Sequence, residues 1–362
     1  MNTPLQYVHP VLQSRELKQK PVQVRLADVP YVLYRDASGQ PQALLDRCPH
    51  RFAPLSGGKV RPDGHLVCPY HGWHFDAQGC GQSATQPTLN CQVPVFPVVE
   101  KYDFLWLAAP GSSPTIPDLN EPDFLFAGGL TSRFEAPLHV ALDNFCEDEH
   151  TPFVHSRLGW SEKDLAQVEF ESHNHPDHTE VHYKAPQRPT WLGRFFLKPG
   201  DIFHNSWRTY FDPARILYHI YWTDPSRQQR RDLELIVHIY FVPWDEKSTR
   251  VHALMFRKEL PSQFLRPIFS PILNRIMCHL VRLEVEDDAT FVRQLADTPF
   301  EMRGMRLGKF DKPLVHNHKL LKQIYWGQSA DEEDQAGKEP ANSNGVAPAS
   351  LPQLQPGNPQ DF

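Results

Sequence analysis

Arg47-Cys48-Pro49-His50-Arg51 and Cys68-Pro69-Tyr70-His71-Gly72-Trp73 decide how this chain is read. Each stretch offers one thiol and one imidazole, as Cys-x-His and then, seventeen residues on, Cys-x-x-His. Such a quartet suits structural zinc with two Cys and two His. It also suits a [2Fe–2S] cluster with two Cys on one iron and two His on the other, and coincidence is the third reading. Zinc fingers usually keep like ligands together, whereas here each loop gives one of each kind. That mixed pairing fits a cluster clamped between two loops, each supplying one ligand to each iron. Pro and Gly beside the ligands fit tight loops whose backbone N–H groups approach sulfides.

Outward from these loops the texture is β-rich. Val22–Leu26, Tyr31–Tyr34 and Ala43–Leu45 alternate as strands do, and Phe96–Val99 with Phe104–Leu107 read as closing strands. Residues 1–110 are thus expected to form one small β domain. The Pro- and Ser-rich stretch 111–123 reads as a linker. Beyond it, residues 138–156 are rich in His and acids and are expected to be partly helical. Val168–Glu171, Glu180–Lys184, Ile216–Trp222, Leu233–Val242 and Val251–Phe256 suggest an antiparallel sheet. A long amphipathic helix is expected from Ser262 to about Leu295, interrupted near Pro271. A sheet with a helix laid on it is an α+β arrangement, expected over 124–327. The polar, Pro-rich segment 328–362 reads as a disordered tail.

The chain has 362 residues, enough for two domains, with 40% hydrophobic and 22% charged residues. The net charge of −6 gives no basic footprint for nucleic acid. No apolar run is long enough to span a membrane, and the first residues lack a signal-peptide layout. A cytoplasmic protein with reduced thiols is expected. Its six cysteines then make metal binding more natural than a disulfide scaffold. Cys80, Cys91, Cys146 and Cys278 lack metal spacing and read as packing thiols. His173, His175 and His178 read as an exposed hairpin tip, and His316-Asn317-His318 as surface.

The segments CPHRFAPLSGGKV (48–60) and CPYHGWHFDAQG (68–79) resemble the Rieske motif of Rieske non-haem iron oxygenases. The resemblance implies that Cys48 and Cys68 hold one iron of a [2Fe–2S] cluster while His50 and His71 hold the other. Neither loop contains the extra Cys of respiratory Rieske proteins.

A second signal lies at Asp143-Asn144-Phe145-Cys146-Glu147-Asp148-Glu149-His150-Thr151-Pro152-Phe153-Val154-His155. A solvated acidic helix explains the acids but not two His five apart among apolar residues. Two His and one carboxylate on one face, with open positions, are the ligand set of a mononuclear non-haem Fe(II) site. The resemblance continues here. His150-x-x-x-x-His155 matches the family's iron-binding pair. The position three before the first His, expected to link a Rieske His of one subunit to an iron-ligating His of the next, is Glu147 rather than the commoner Asp. Asp148 is the alternative if the register slips by one. Asn144 matches the pattern's Asn, near the iron, with helix capping or a buried hydrogen bond as the plain alternative. The third ligand is expected from Leu283–Phe291 in the long C-terminal helix. The resemblance implies a carboxylate in such an acidic helix segment, with Asp287 the first choice, Asp288 the second and Glu286 the third; neighbours on a helix point about 100° apart, so only one of them can face the iron.

The resemblance implies a helix-grip, START-like catalytic domain behind the Rieske domain. It also implies a terminal oxygenase with O2 as cosubstrate, acting as a head-to-tail homotrimer. No G-x-G-x-x-G, flavin segment or plant-type ferredoxin run is present. A separate reductase or ferredoxin is therefore expected to bring electrons from NAD(P)H. Hydroxylation or oxidative demethylation of a small aromatic molecule is the first expectation, as in vanillate O-demethylases, and ring dihydroxylation the second. A Rieske electron carrier without a second iron, or a zinc-stabilised binding protein, would be a different class.

Overall fold

The structure is a computed structural model that describes residues 4–83, 85–112, 115–157, 159–188, 197–259 and 266–328. The polar tail expected from 328 falls, from 329 onward, outside the described residues.

The first half consists of short strands: β1 (His9–Gln13), β2 (Val22–Leu26), β3 (Val29–Arg35), β4 (Pro41–Leu45), β5 (Lys59–Val60), β6 (Leu66–Val67), β7 (His74–Phe75), β8 (Cys80–Gln82), β9 (Asn90–Gln92), β10 (Val95–Phe96), β11 (Val98–Lys101) and β12 (Phe104–Leu107). They form three antiparallel sheets: β1-β12-β11, β10-β4-β3-β2 and β5-β6-β7-β8-β9. Two hairpins turn in two residues. Ala27 and Asp28 (φ 49° and 66°) join β2 to β3, and Tyr102 and Asp103 (φ 53° and 59°) join β11 to β12. Paired positive φ matches the twist of the flanking strands.

The second half is one seven-stranded antiparallel sheet, built from β13 (Phe124–Phe134), β14 (Glu169–Asn174), β15 (His178–Pro186), β16 (Ile202–Phe211), β17 (Ala214–Thr223), β18 (Arg230–Asp245) and β19 (Ser248–Lys258). Its order is β13-β19-β18-β17-β16-β15-β14. The helices are α1 (Leu138–Cys146), α2 (Thr151–Val154), α3 (Arg266–Val292) and α4 (Lys312–Leu320).

One face of this sheet is buried along its length and the other only around β18 and β19, each against a different layer. Val181, Trp207, Ile216, Val237 and Met255 pack with Leu142 and Phe145 of α1 and Met277 and Val285 of α3. On the other face, Ile236, Tyr240, Leu254 and Phe256 pack against Phe104 and Trp106 of β12. Trp106 meets Tyr240 edge-on at 5.2 Å, a geometry aromatic pairs favour. Gly129 permits this approach, since a Cβ there would lie 2.3 Å from the Phe104 ring. The strands β18 and β19 therefore read as nearly continuous apolar runs.

Several expectations are corrected. β13 and β16 were not anticipated. Glycines at 128 and 129 break the pattern of β13, and β16 carries His, Asn, Ser, Arg and Thr among its apolar residues. α3 runs through Pro271 without interruption. That proline sits in the second turn, where it removes one backbone hydrogen bond near a helix end. His316-Asn317-His318 is not a surface patch: Asn317 is fully buried and His318 nearly so. His318 faces both oxygens of Asp143 at 2.8 and 3.0 Å and the Phe300 carbonyl at 2.9 Å. Cys80 is exposed rather than packed, whereas Cys146 is buried against the Thr209 hydroxyl. The His173–His178 tip does form the β14–β15 turn.

Candidate metal centres

The two Cys/His loops share one backbone design. In the first, the Cys48 amide donates to the Ala53 carbonyl at 2.9 Å and the Phe52 amide to the Cys48 carbonyl at 2.8 Å. In the second, Cys68 donates to Trp73 at 2.7 Å and Gly72 to Cys68 at 3.2 Å. The residue four after each Cys has positive φ: Phe52 at 61° and Gly72 at 72°. Glycine takes that conformation freely, while Phe52 is held in it against its Cβ. The matched turns bury both thiols and leave both imidazoles at the surface.

The His50 and His71 rings lie 4.7 Å apart, and Trp73 stacks on His50 at 5.2 Å. Burial pushes the Cys48 thiol up to about 11, against the His50 and Arg51 backbone N–H groups, which point at its sulfur. A buried sulfur pair backed by amides, with two imidazoles on the outer edge, fits a cluster having two thiolates on one iron and two imidazoles on the other. Beside it Phe52 and Tyr70 are exposed by 63% and 55%, with the Arg47 and Arg51 guanidinium groups over their rings.

The second site is built from α1, α2 and α3. After α1 the chain leaves the helix at Glu147, and α2 then sets His150 and His155 at its two ends. Their Nε2 atoms are 3.2 Å apart. Asp288 Oδ1 lies 3.4 Å from His150 Nε2 and 3.2 Å from His155 Nε2. A metal with bonds of about 2.1 Å and right-angled ligands has ligand-to-ligand edges of about 3 Å. The near-equilateral triangle therefore matches one face of an octahedron, leaving the other positions open. Asp288 is buried, and among the described residues only the two imidazoles face its Oδ1, an arrangement that suits an acceptor beside a cation.

The far side of each imidazole faces another carboxylate. His150 Nδ1 is hydrogen-bonded to Glu147 Oε1. Glu147 Oε2 in turn accepts from the Glu149 amide at 2.6 Å and the His150 amide at 3.3 Å. His155 Nδ1 lies 2.8 Å from Glu284 Oε2, off the line of the ring N–H. Such outer carboxylates keep the proton on Nδ1 and aim Nε2 inward. Burial opposes charge on these rings, but Asp288 and Glu147 outweigh it and push His150 up to about 10. Asp288 and Glu284 likewise push His155 up to about 9. Burial also opposes ionisation of Asp288, yet the two imidazoles hold it down to about 2. The pocket is thus tuned to hold positive charge.

Asp287, the first choice for the third carboxylate, is not in the triangle. On α3 it points about 100° away from Asp288 and meets Arg157 Nη1 at 2.6 Å. Asp288 faces the His pair instead, and Glu286 is exposed, 4.0 Å from Arg282. Asp148 is spent internally: it accepts from Thr151 Oγ1 at 2.8 Å and Trp160 Nε1 at 2.9 Å. Glu147 is therefore the acid that touches His150. Asn144 is half-buried on α1, its Nδ2 enclosed and without a partner among the described residues. Glu284 was missed, although its place one turn before Asp288 puts it on the same helix face.

Residues 7–102 match the Rieske [2Fe-2S] domain family. The chain is 39% identical over 153 residues to the oxygenase component of dicamba O-demethylase from Stenotrophomonas maltophilia, covering 39% of this chain and 44% of that protein. It is 33% identical over 247 residues to chlorophyllide a oxygenase of Chlamydomonas reinhardtii, covering 64% and 37%. It is 36% identical over 149 residues to a vanillate O-demethylase oxygenase subunit of a Pseudomonas species, covering 38% and 44%. The matched region thus spans less than half the length of each of these relatives. The fold superposes on the crystal structure of dicamba monooxygenase bound to dicamba with a TM-score of 0.71 at 24% identity, over 93% of this chain and 100% of that one. Residues 7–102 thus form a Rieske [2Fe-2S] domain, and the chain shares the fold of dicamba monooxygenase.

Proposed function

We propose that this protein is a terminal oxygenase that hydroxylates or oxidatively demethylates a small aromatic molecule. The observation that carries this reading is the His150–His155–Asp288 triangle, with Asp288 buried and both imidazoles partly so. Cys48, His50, Cys68 and His71 would hold the cluster, and His150, His155 and Asp288 the mononuclear iron. Iron held there would supply the oxidising chemistry: with O2, two electrons and two protons, one oxygen atom would enter a substrate C–H bond and the other would leave as water. On an aryl methyl ether the product is a hemiacetal, which collapses to a phenol and formaldehyde.

The chain's own groups prepare that chemistry. Glu147 and Glu284 fix the imidazole tautomers. The unpartnered Nδ2 of Asn144 supports a hydrogen-bond donor beside the site. Electrons would arrive from a separate NAD(P)H-dependent reductase or ferredoxin at the exposed His50–His71 edge. No helix among the described residues is long and apolar enough to cross a membrane, which supports a cytoplasmic setting.

Transfer between the two centres would cross a subunit boundary. The seven-stranded sheet lies between β12 and the helices that carry the iron ligands. A groove of about 500 Å³ beside His150 is lined by Glu149, Phe153, Asp287 and Phe291. Its acids and exposed aromatics complement the arginines and aromatics of the Rieske tip. This supports a head-to-tail homotrimer in which the imidazole edge of one copy meets Glu147 of the next. The decisive test is turnover with a surrogate reductase, scored by product mass and formaldehyde release. Electron uptake without O2-dependent product from an aryl ether panel would contradict the reading.

A further inference from the structure

The face of the sheet beneath the triangle carries three buried polar atoms without a hydrogen-bond partner among the described residues: the Tyr183 hydroxyl, Asn205 Oδ1 and Trp207 Nε1. One row across that face runs Tyr183, Asn205, Ile220 and Leu235. The next runs Val181, Trp207, Tyr218 and Val237. Both lie directly below the chain segment that bears His150. The Tyr218 hydroxyl is bonded to the Phe145 carbonyl and feels the charges of Asp288 and Glu147. Burial and then the Asp148 carboxylate raise the Tyr183 hydroxyl, which places that ring under the same segment.

None of these eight residues carries a charge. Asn205, Tyr218 and Ile220 are only half-buried although they sit on the covered face, so space lies above them. Asn205 Oδ1 is buried and accepts no hydrogen bond. Trp207 Nε1, one step along the same strand face, is buried and donates none. An unpaired polar atom in such a place is unfavourable. An acceptor and a donor two residues apart on one strand face, among mostly apolar neighbours, are what a small substrate's polar end would satisfy.

We propose that Asn205 and the Trp207 indole N–H select the substrate of this site by receiving an uncharged group that both donates and accepts a hydrogen bond, such as a phenolic hydroxyl, on an otherwise apolar ring. The proposal rests on the oxygenase reading. A carboxylate would bring its charge into two rows without a cation, which disfavours anionic analogues. Removing the substrate hydroxyl leaves both protein atoms unpaired, the situation in which a site rejects an analogue most strongly.

The test uses the iron-loaded protein and three probes: 2-methoxyphenol, 1,2-dimethoxybenzene and 2-methoxybenzoate. Binding is measured by calorimetry, and the nitric oxide adduct is recorded by EPR for each sample. The expected result is at least tenfold tighter binding of 2-methoxyphenol than of either analogue. Asn205→Leu should erase that preference while leaving the iron–nitrosyl signal intact, and Trp207→Phe should reduce it. Equal or tighter binding of the benzoate, a preference unchanged in Asn205→Leu, or no binding of any probe beside a normal nitrosyl signal overturns the inference alone. Loss of the nitrosyl signal in the unmodified protein overturns the oxygenase reading itself.

Discussion

The Nε2 atoms of His150 and His155 stand 3.2 Å apart and share the Asp288 carboxylate, while their Nδ1 atoms face Glu147 and Glu284 on opposite sides. With Nδ1 protonated on each ring, two lone pairs and one carboxylate oxygen converge on a point. Only a cation stabilises that arrangement.

Asp288 and its neighbour should therefore separate cleanly. Asp288→Ala should abolish retention of the mononuclear iron. Asp287→Ala should keep it and lose only the half-exposed Arg157 pair, worth about 0–1 kcal/mol. Iron analysis after gel filtration, alongside a melting curve for each variant, checks both statements.

Glu284 should matter without touching metal. Loss of an outer carboxylate on a ligand His typically weakens metal binding about 10- to 100-fold. Glu284→Ala is expected in that range in Fe(II) titrations, and Glu284→Gln, which still offers an oxygen to Nδ1, well above it. Unchanged affinity in Glu284→Ala would show that the 2.8 Å contact does not orient the ring.

Iron binding should strengthen with pH. Burial is outweighed at both imidazoles by carboxylates, giving values of about 10 for His150 and about 9 for His155. Iron takes the neutral ring, so at pH 7 it must displace protons. Affinity should rise from pH 6 to 8 with measurable proton release. The chelated protein should behave oppositely. Imidazoles raised on folding stabilise the fold below their ordinary pKa, and that contribution fades as pH climbs through about 9–10. Calorimetry in buffers of different ionisation enthalpy and melting curves with chelator test the two signs.

The Asp143–His318 pair should hold α4 against α1. His318 is nearly buried, so His318→Leu leaves Asp143 without its partner and should destabilise by about 2–4 kcal/mol. Denaturant midpoints measure this, and the Rieske spectrum should not change.

Local chemistry was what the sequence made legible. The Cys/His loops and the His pair are short-range patterns, and the strands from Glu180 to Phe256 alternate visibly. What failed depends on rotation and packing. Choosing Asp288 over Asp287 needs the phase of α3, which four successive acids from Glu284 onward, broken only by Val285, do not reveal. His318 looked exposed because its partner lies 175 positions earlier. β16 escaped notice because Asn205 interrupts its apolar face.

EPR of the anaerobic, Fe(II)-loaded, dithionite-reduced protein with nitric oxide reads both metal centres in one sample. The account predicts a Rieske signal together with a high-spin iron–nitrosyl signal, the latter lost in His150→Ala and Asp288→Ala while the Rieske signal persists. A Rieske signal with no iron–nitrosyl signal in the unmodified protein would contradict it, and would leave an electron carrier in place of an oxygenase.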